Sequence, residues 1–305
     1  MIKLLKLYEK FGIFFYIFLG GFVLSIASPN FLKIDTILNI ISQGTYAAIV
    51  GFGMTFAITS GGFDLSVTSV MSVVSVFIAI FIPITGIIIA ILFAVIIGSC
   101  IGSITGSIIA KLKVNPLITT LAIMTIFKGV ALLIAGGRQI RITADVFMEV
   151  GTGRLLGIPV PIYIMTFFFI IFYIILYHTG FGRHVSAVGS NERAARISGI
   201  NVDWVIIGVY ILVAFTSGIA SVIRTSQALI GMPTVSPGFE LVAITVTILG
   251  GTSLSGGRGN LWGTLFAGIF ISMIYYGLNL IGVQIYYQML SRSEEHTSEL
   301  QSLSH

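Results

Sequence analysis

The chain has 305 residues, of which 56% are hydrophobic and only 9% charged, with a formal net charge of +5. Water-soluble domains carry about 25% charged residues, so the deficit excludes a soluble globular protein, and a mean hydropathy of +1.06 points to a polytopic membrane protein. In such a chain a positive balance belongs to cytoplasmic loops and not to a nucleic-acid partner, and a single cysteine, Cys100, excludes an internal disulfide.

Every crossing segment is expected to be a helix, because lipid offers backbone N–H and C=O groups no partner. A crossing takes about 20 apolar residues to span roughly 30 Å. Lys3, Lys6 and Lys10 precede the first such segment, 11–28. Its small residues Ser25 and Ala27 would suit signal-peptide cleavage, but eight further spans behind it favour an uncleaved helix. The next spans are 37–59, 65–82, 84–110 and 116–135. Asp64, in the "GGFDLS" stretch at 61–66, has two readings. It caps the helix that starts near Leu65, or it touches a translocated solute. In the fourth span Gly98, Gly102 and Gly106 recur every fourth residue, a spacing that lets another helix approach closely.

The later spans are 160–178, 204–223, 239–254 and 260–283, nine in all. The eighth is short and interrupted by Gly250 and Gly251. Its "GGTSLS", 250–255, echoes "GGFDLS". Paired glycine-interrupted segments point to a transport pathway at a repeat interface. The span count nevertheless puts both on the same face, where an inverted repeat would separate them. Thr252, Ser253 and Ser255, with Asn279 in the ninth span, are candidates for bonding a passing solute. Each is equally suited to bonding a neighbouring helix.

Lysine and arginine set the orientation. Lys3, Lys6 and Lys10 place the N-terminus in the cytoplasm. Counting spans then puts Lys111, Lys113, Arg183, Arg193 and Arg196 on the same side. The 137–159 loop falls outside, where Arg138, Arg141 and Arg154 are balanced by Asp145 and Glu149.

One cytoplasmic stretch, "AVGSNERAARISGINV" at 187–202, is unusually charged for this chain. Asn191 is placed to cap a short helix, with Glu192 near its positive end and Gly199 ending it in a left-handed conformation. That gives about seven residues, roughly 10 Å of helix. Ala194 and Ala195 make its surface low. By composition alone it reads as a solvated loop.

The stretch resembles the cytoplasmic coupling segment of the membrane subunits of bacterial ATP-binding-cassette sugar importers, the ribose, galactose and xylose permease group. "MTFAITSGGFDLSVTSVMSV", 54–73, and the block from Gly238 to Val283 resemble the same family, in the same order. The resemblance covers nearly all of residues 1–290. It implies an all-α integral membrane bundle in the bacterial inner membrane, importing a monosaccharide by alternating access. It implies that Asn191, Glu192, Arg193, Ala194, Ala195, Arg196 and Gly199 dock on a separate cytoplasmic ATPase subunit. It also implies an extracytoplasmic sugar-binding protein and a second copy, or close paralogue, of the permease. The chain has no G-x-x-x-x-G-K-[ST] phosphate loop, so ATP would be bound by the partner and no cofactor or metal is expected here. Asp64, Thr252, Ser253 and Asn279 are the pathway candidates. The rival readings are an ion-coupled secondary transporter, which would favour more ionisable residues in mid-span, and an intramembrane enzyme, whose catalytic constellations are absent from the sequence.

Composition changes after Leu290. "SRSEEHTSELQSLSH", 291–305, has no apolar run and holds three of the eleven acidic residues. It is expected to be a non-native tail replacing a tenth helix, to be set apart from the permease domain 1–290.

Overall fold

The computed structural model describes residues 2–280, and these are mostly helical. In chain order the helices are α1 Ile2–Ala27, α2 Ile34–Thr59, α3 Val67–Thr85, α4 Ile87–Leu112 and α5 Pro116–Ile134. There follow β1 Ile140–Arg141, a 3-10 turn Asp145–Met148, α6 Glu149–Thr152, β2 Arg154–Leu155 and β3 Ile158–Pro159. The chain continues through α7 Val160–His178, α8 Gly180–Ser190, α9 Glu192–Ile197, α10 Val202–Ala228, β4 Ile230–Gly231, α11 Phe239–Leu249 and α12 Leu261–Leu280. The stretch where a tenth helix is expected to be missing, and the tail 291–305, lie outside the described residues.

Seven of these helices are long and apolar enough to cross a membrane: α2, α3, α4, α5, α7, α10 and α12. α1 adds a shorter apolar stretch, Ile13–Ile26. α11 departs from expectation. It has eleven residues, about 16 Å at 1.5 Å per residue, and cannot cross roughly 30 Å alone. The reading of 239–254 as a full helical span is therefore corrected.

α2 and α10 lie at the centre. One apolar core surrounds α2, where Phe52 and Phe56 pack against Phe169 and Phe172 of α7 at ring separations of 5.7–6.4 Å. A second joins α3, α4 and α10 through Val70, Val74, Ala94, Ile101 and Ala214. The glycine ladder of α4 does what its spacing predicts. A methyl group on Gly106 would come within 2.8 Å of the Ile207 backbone, and one on Gly102 would strike the Tyr210 carbonyl. So α4 and α10 meet backbone to backbone.

Two end caps sort the chain. At one end β1 pairs antiparallel with β4 and β2 with β3, and Arg154 reaches Asp35 at the start of α2 at 2.6 Å. At the other end Lys113 meets Asp203 and Glu192. The segments that the span count puts on one face thus lie together in space.

Two connections climb into the bundle. Ser221 of α10 donates to the Met71 carbonyl at 2.6 Å, and Thr225 bonds Ser75 at 2.7 Å. Ser221 lies nineteen residues beyond Val202, about 28 Å along a helix about 40 Å long. α3 starts only four residues before Met71, so Val67 sits a little past the middle of α10. The loop 60–66 must rise from the end of α2 to that depth, and Tyr210 holds it on the way by donating to the Phe63 carbonyl at 3.2 Å.

The second climb is 229–238. Its backbone descends along α3: the Met232 N–H donates to Ser75 Oγ at 2.9 Å and the Val235 N–H to Ser72 Oγ at 3.0 Å. It delivers Phe239 against Tyr46, ring centroids 5.3 Å apart. Tyr46 is twelve residues into the 26-residue α2, so α11 also begins near mid-depth. Irregular backbone is tolerated there because protein side chains satisfy it.

Candidate functional site

The charged island folds as its residues dictate. The Asn191 side chain accepts from the Ala194 N–H at 2.9 Å, which makes it the cap of α9. Gly199 has a φ of +84° and ends the helix. The helix is six residues long, with Ser198 as its C-cap. Ala195 is buried at 4% exposure, while Arg193, Ala194 and Ile197 face outward, Ile197 at 81%.

Glu192 and Arg196 do not project freely. Arg196 donates to Asp203 at 2.8 Å and to Glu192 at 3.2 Å. Lys113, at the end of α4, reaches Asp203 at 3.0 Å and Glu192 at 3.8 Å. Asp203 and then Glu192, by these bonds, hold the Arg196 guanidinium above its usual range. Two cations and two carboxylates thus tie α9 to α4 and α10. Lys113 and Asp203 escape a motif search because they are local to no motif and 90 residues apart.

Beneath α9, α8 is wedged against two other elements. The Gly257 N–H donates to the Thr59 carbonyl at 2.8 Å. A methyl group on Gly189 would collide with that same Thr59 carbonyl and lie 2.8 Å from the Gly257 nitrogen. The end of α2, the end of α8 and the turn between α11 and α12 therefore meet with no side chain between them. The contact joins α8–α9 to α2 and to the α11–α12 turn.

The pathway candidates are not gathered into one site. Asp64 is buried at 1% exposure. Its Oδ1 accepts from the Ser66 N–H at 2.8 Å and the Ser66 hydroxyl at 2.6 Å. It closes the turn just before α3, whose capping position is Ser66 itself. Thr252 is buried and accepts from the Asn260 N–H at 3.1 Å. Ser253 makes a backbone bond to the Arg258 carbonyl at 3.0 Å in the same turn. Asn279 is exposed at the far end of α12. The two glycine-pair motifs do share one end: "GGFDLS" follows α2 and "GGTSLS" follows α11.

A family model for the branched-chain amino acid transport system / permease component matches residues 36–292. The ribose import permease protein RbsC of Bacillus subtilis (strain 168) is 41% identical over 285 residues, covering 92% of this chain and 88% of that protein. RbsC of Haemophilus influenzae is 40% identical, covering 89% and 85%. The L-arabinose transport system permease protein AraH of Escherichia coli (strain K12) is 34% identical, covering 94% and 88%. No solved structure matches the chain. With a bundle of apolar helices, a capped charged helix wedged at one end and these matches over nearly its whole length, the chain belongs to the permease components of the branched-chain amino acid transport type.

Proposed function

We propose that this chain is the membrane permease subunit of an ATP-driven importer for a pentose, working by alternating access in a bacterial inner membrane. The wedge of α8 and α9 against α2 and the α11–α12 turn carries the reading. It gives a force applied at one end a path to helices that run the depth of the bundle. The relatives named for ribose and arabinose support the pentose.

The α9 end faces the cytoplasm, since Lys111, Lys113, Arg183, Arg193 and Arg196 gather on that side of the chain path. The N-terminus then lies in the cytoplasm too, and the broken segment 229–249 makes one crossing as descent plus half-helix. The docking face for a cytoplasmic ATPase is the outward side of α9, with Arg193, Ala194 and Ile197 at its centre. ATP is bound by that partner, and this chain performs no chemistry. A sugar-binding protein delivers the pentose to the opposite face, and two permease copies, identical or paralogous, enclose one pathway.

The test is uptake in reconstituted vesicles. Pentose should accumulate only when the partner ATPase and ATP are supplied. Accumulation by this chain alone, driven by a sodium or proton gradient, would replace the reading with a secondary transporter.

A further inference from the structure

At mid-depth the starts of α3 and α11 converge on a cavity of about 80 Å³. Thr68, Ser69 and Ser72 line it from α3, Met124 and Lys128 from α5, and Glu240 from the first turn of α11. Among the described residues Glu240 Oε2 is the buried side-chain oxygen or nitrogen with no hydrogen-bond partner. Lys128 makes no ion pair or hydrogen bond with another described residue. A carboxylate oxygen withdrawn from water and left unbonded is costlier than a neutral group in the same position, so an ionisable group at this depth marks a function.

We infer that this cavity recognises the pentose during translocation, with Glu240 accepting from sugar hydroxyls and Lys128 and Thr68 bonding other oxygens of the ring. A pentose offers several adjacent hydroxyl donors, and a carboxylate is acceptor-only, with two oxygens that take charge-assisted bonds. A lysine supplies the complementary donors, and a hydroxyl side chain can do either. The surroundings fit such a site. Two interrupted segments, 60–66 and 229–238, place two helix starts at the same depth, the arrangement in which transporters hold solutes. The cavity's volume matches two or three waters at roughly 30 Å³ each. It therefore grips one edge of the sugar in this conformation and opens fully when α5, the least buried spanning helix, moves aside.

The assignment rests on the pentose-importer reading, so the test separates the two. The complete transporter, with its ATPase and binding protein, is assayed for ribose and L-arabinose uptake at saturating sugar. Glu240→Gln should lower ribose uptake about tenfold or more, the worth of one charge-assisted bond. Glu240→Gln and the milder Thr68→Val should each also change the ribose-to-arabinose ratio at least about threefold, because a recognition contact discriminates hydroxyl positions. In a Cys100→Ser background, maleimide labelling of Thr234→Cys, an exposed position that also lines the cavity, should slow when ribose is present. Wild-type uptake of both variants, or equal loss of both sugars with no ribose protection, overturns the site while leaving the importer reading intact. A wild-type transporter that moves neither pentose overturns the reading beneath it and the site together.

Discussion

Gly189 shows how much one missing methyl group decides. It sits where three chain segments cross, and its Cα stands in the only room left between the Thr59 carbonyl and the Gly257 nitrogen. Any side chain forces α8 away from α2, and overpacking of that kind costs about 1–3 kcal/mol. Gly189→Ala is therefore expected to cut ATP-driven uptake at least about tenfold while leaving membrane insertion intact. Gly180→Ala serves as the comparison, because its added methyl meets only the Arg183 guanidinium at 3.8 Å. Parallel uptake assays and insertion assays check the pair, and equal activity in both variants would show that the crossing transmits nothing.

At the scale of elements, the serines of α3 hold the descent of 229–238. Ser75 receives both the Thr225 hydroxyl and the Met232 N–H. Ser75→Ala strands a backbone donor inside the bundle and should destabilise the protein by about 1–3 kcal/mol. Ser99→Ala, which loses only a bond to its own helix at Val95, should fall within about 0.5 kcal/mol of the parent. Thermal unfolding in detergent compares them. A Ser75→Ala midpoint no lower than that of Ser99→Ala would mean the descent is held otherwise. This element also marks where the sequence stops being legible. α2, α4, α5, α7 and α12 follow from apolar length alone, and their expected bounds fall within a few residues of those observed. The stretch "LIGMPTVSPG", 229–238, has the proline, glycine and hydroxyl residues of a surface loop. Its depth comes from Ser72 and Ser75, more than 150 residues away in sequence. Glu240, which no motif singles out, therefore starts a half-helix at mid-depth and not the first turn of a full span. The depth of Asp64 was equally illegible, since nothing within 60–66 announces that the loop climbs. The cap at Asn191 and the stop at Gly199 were legible because capping chemistry is complete within a few residues.

For the whole molecule, the question is which charges at the α9 end belong to the fold and which to a partner. Glu192 and Arg196 satisfy each other and are further satisfied by Lys113 and Asp203. Arg193 and Ile197 face outward, and Arg193 forms no ion pair with another described residue. Reversing only Glu192 and Arg196 keeps their mutual pair but sets the new cation beside Lys113 and the new anion beside Asp203. Like charges at these distances loosen α9 from α4 and α10. The variant Glu192→Arg with Arg196→Glu should therefore lose most ATP-driven uptake and most stimulation of the partner ATPase, with insertion unchanged. Adding Lys113→Glu and Asp203→Lys inverts the entire network, restores every attraction, leaves the net charge as it was, and should return at least about half of the uptake. Arg193→Glu combined with Ile197→Glu leaves the network untouched but changes the docking face, and no inversion inside the network should rescue it. If the fourfold inversion stays as inactive as the double, the partner reads Glu192 and Arg196 directly. The internal network would then be a consequence of the docking surface and not its support.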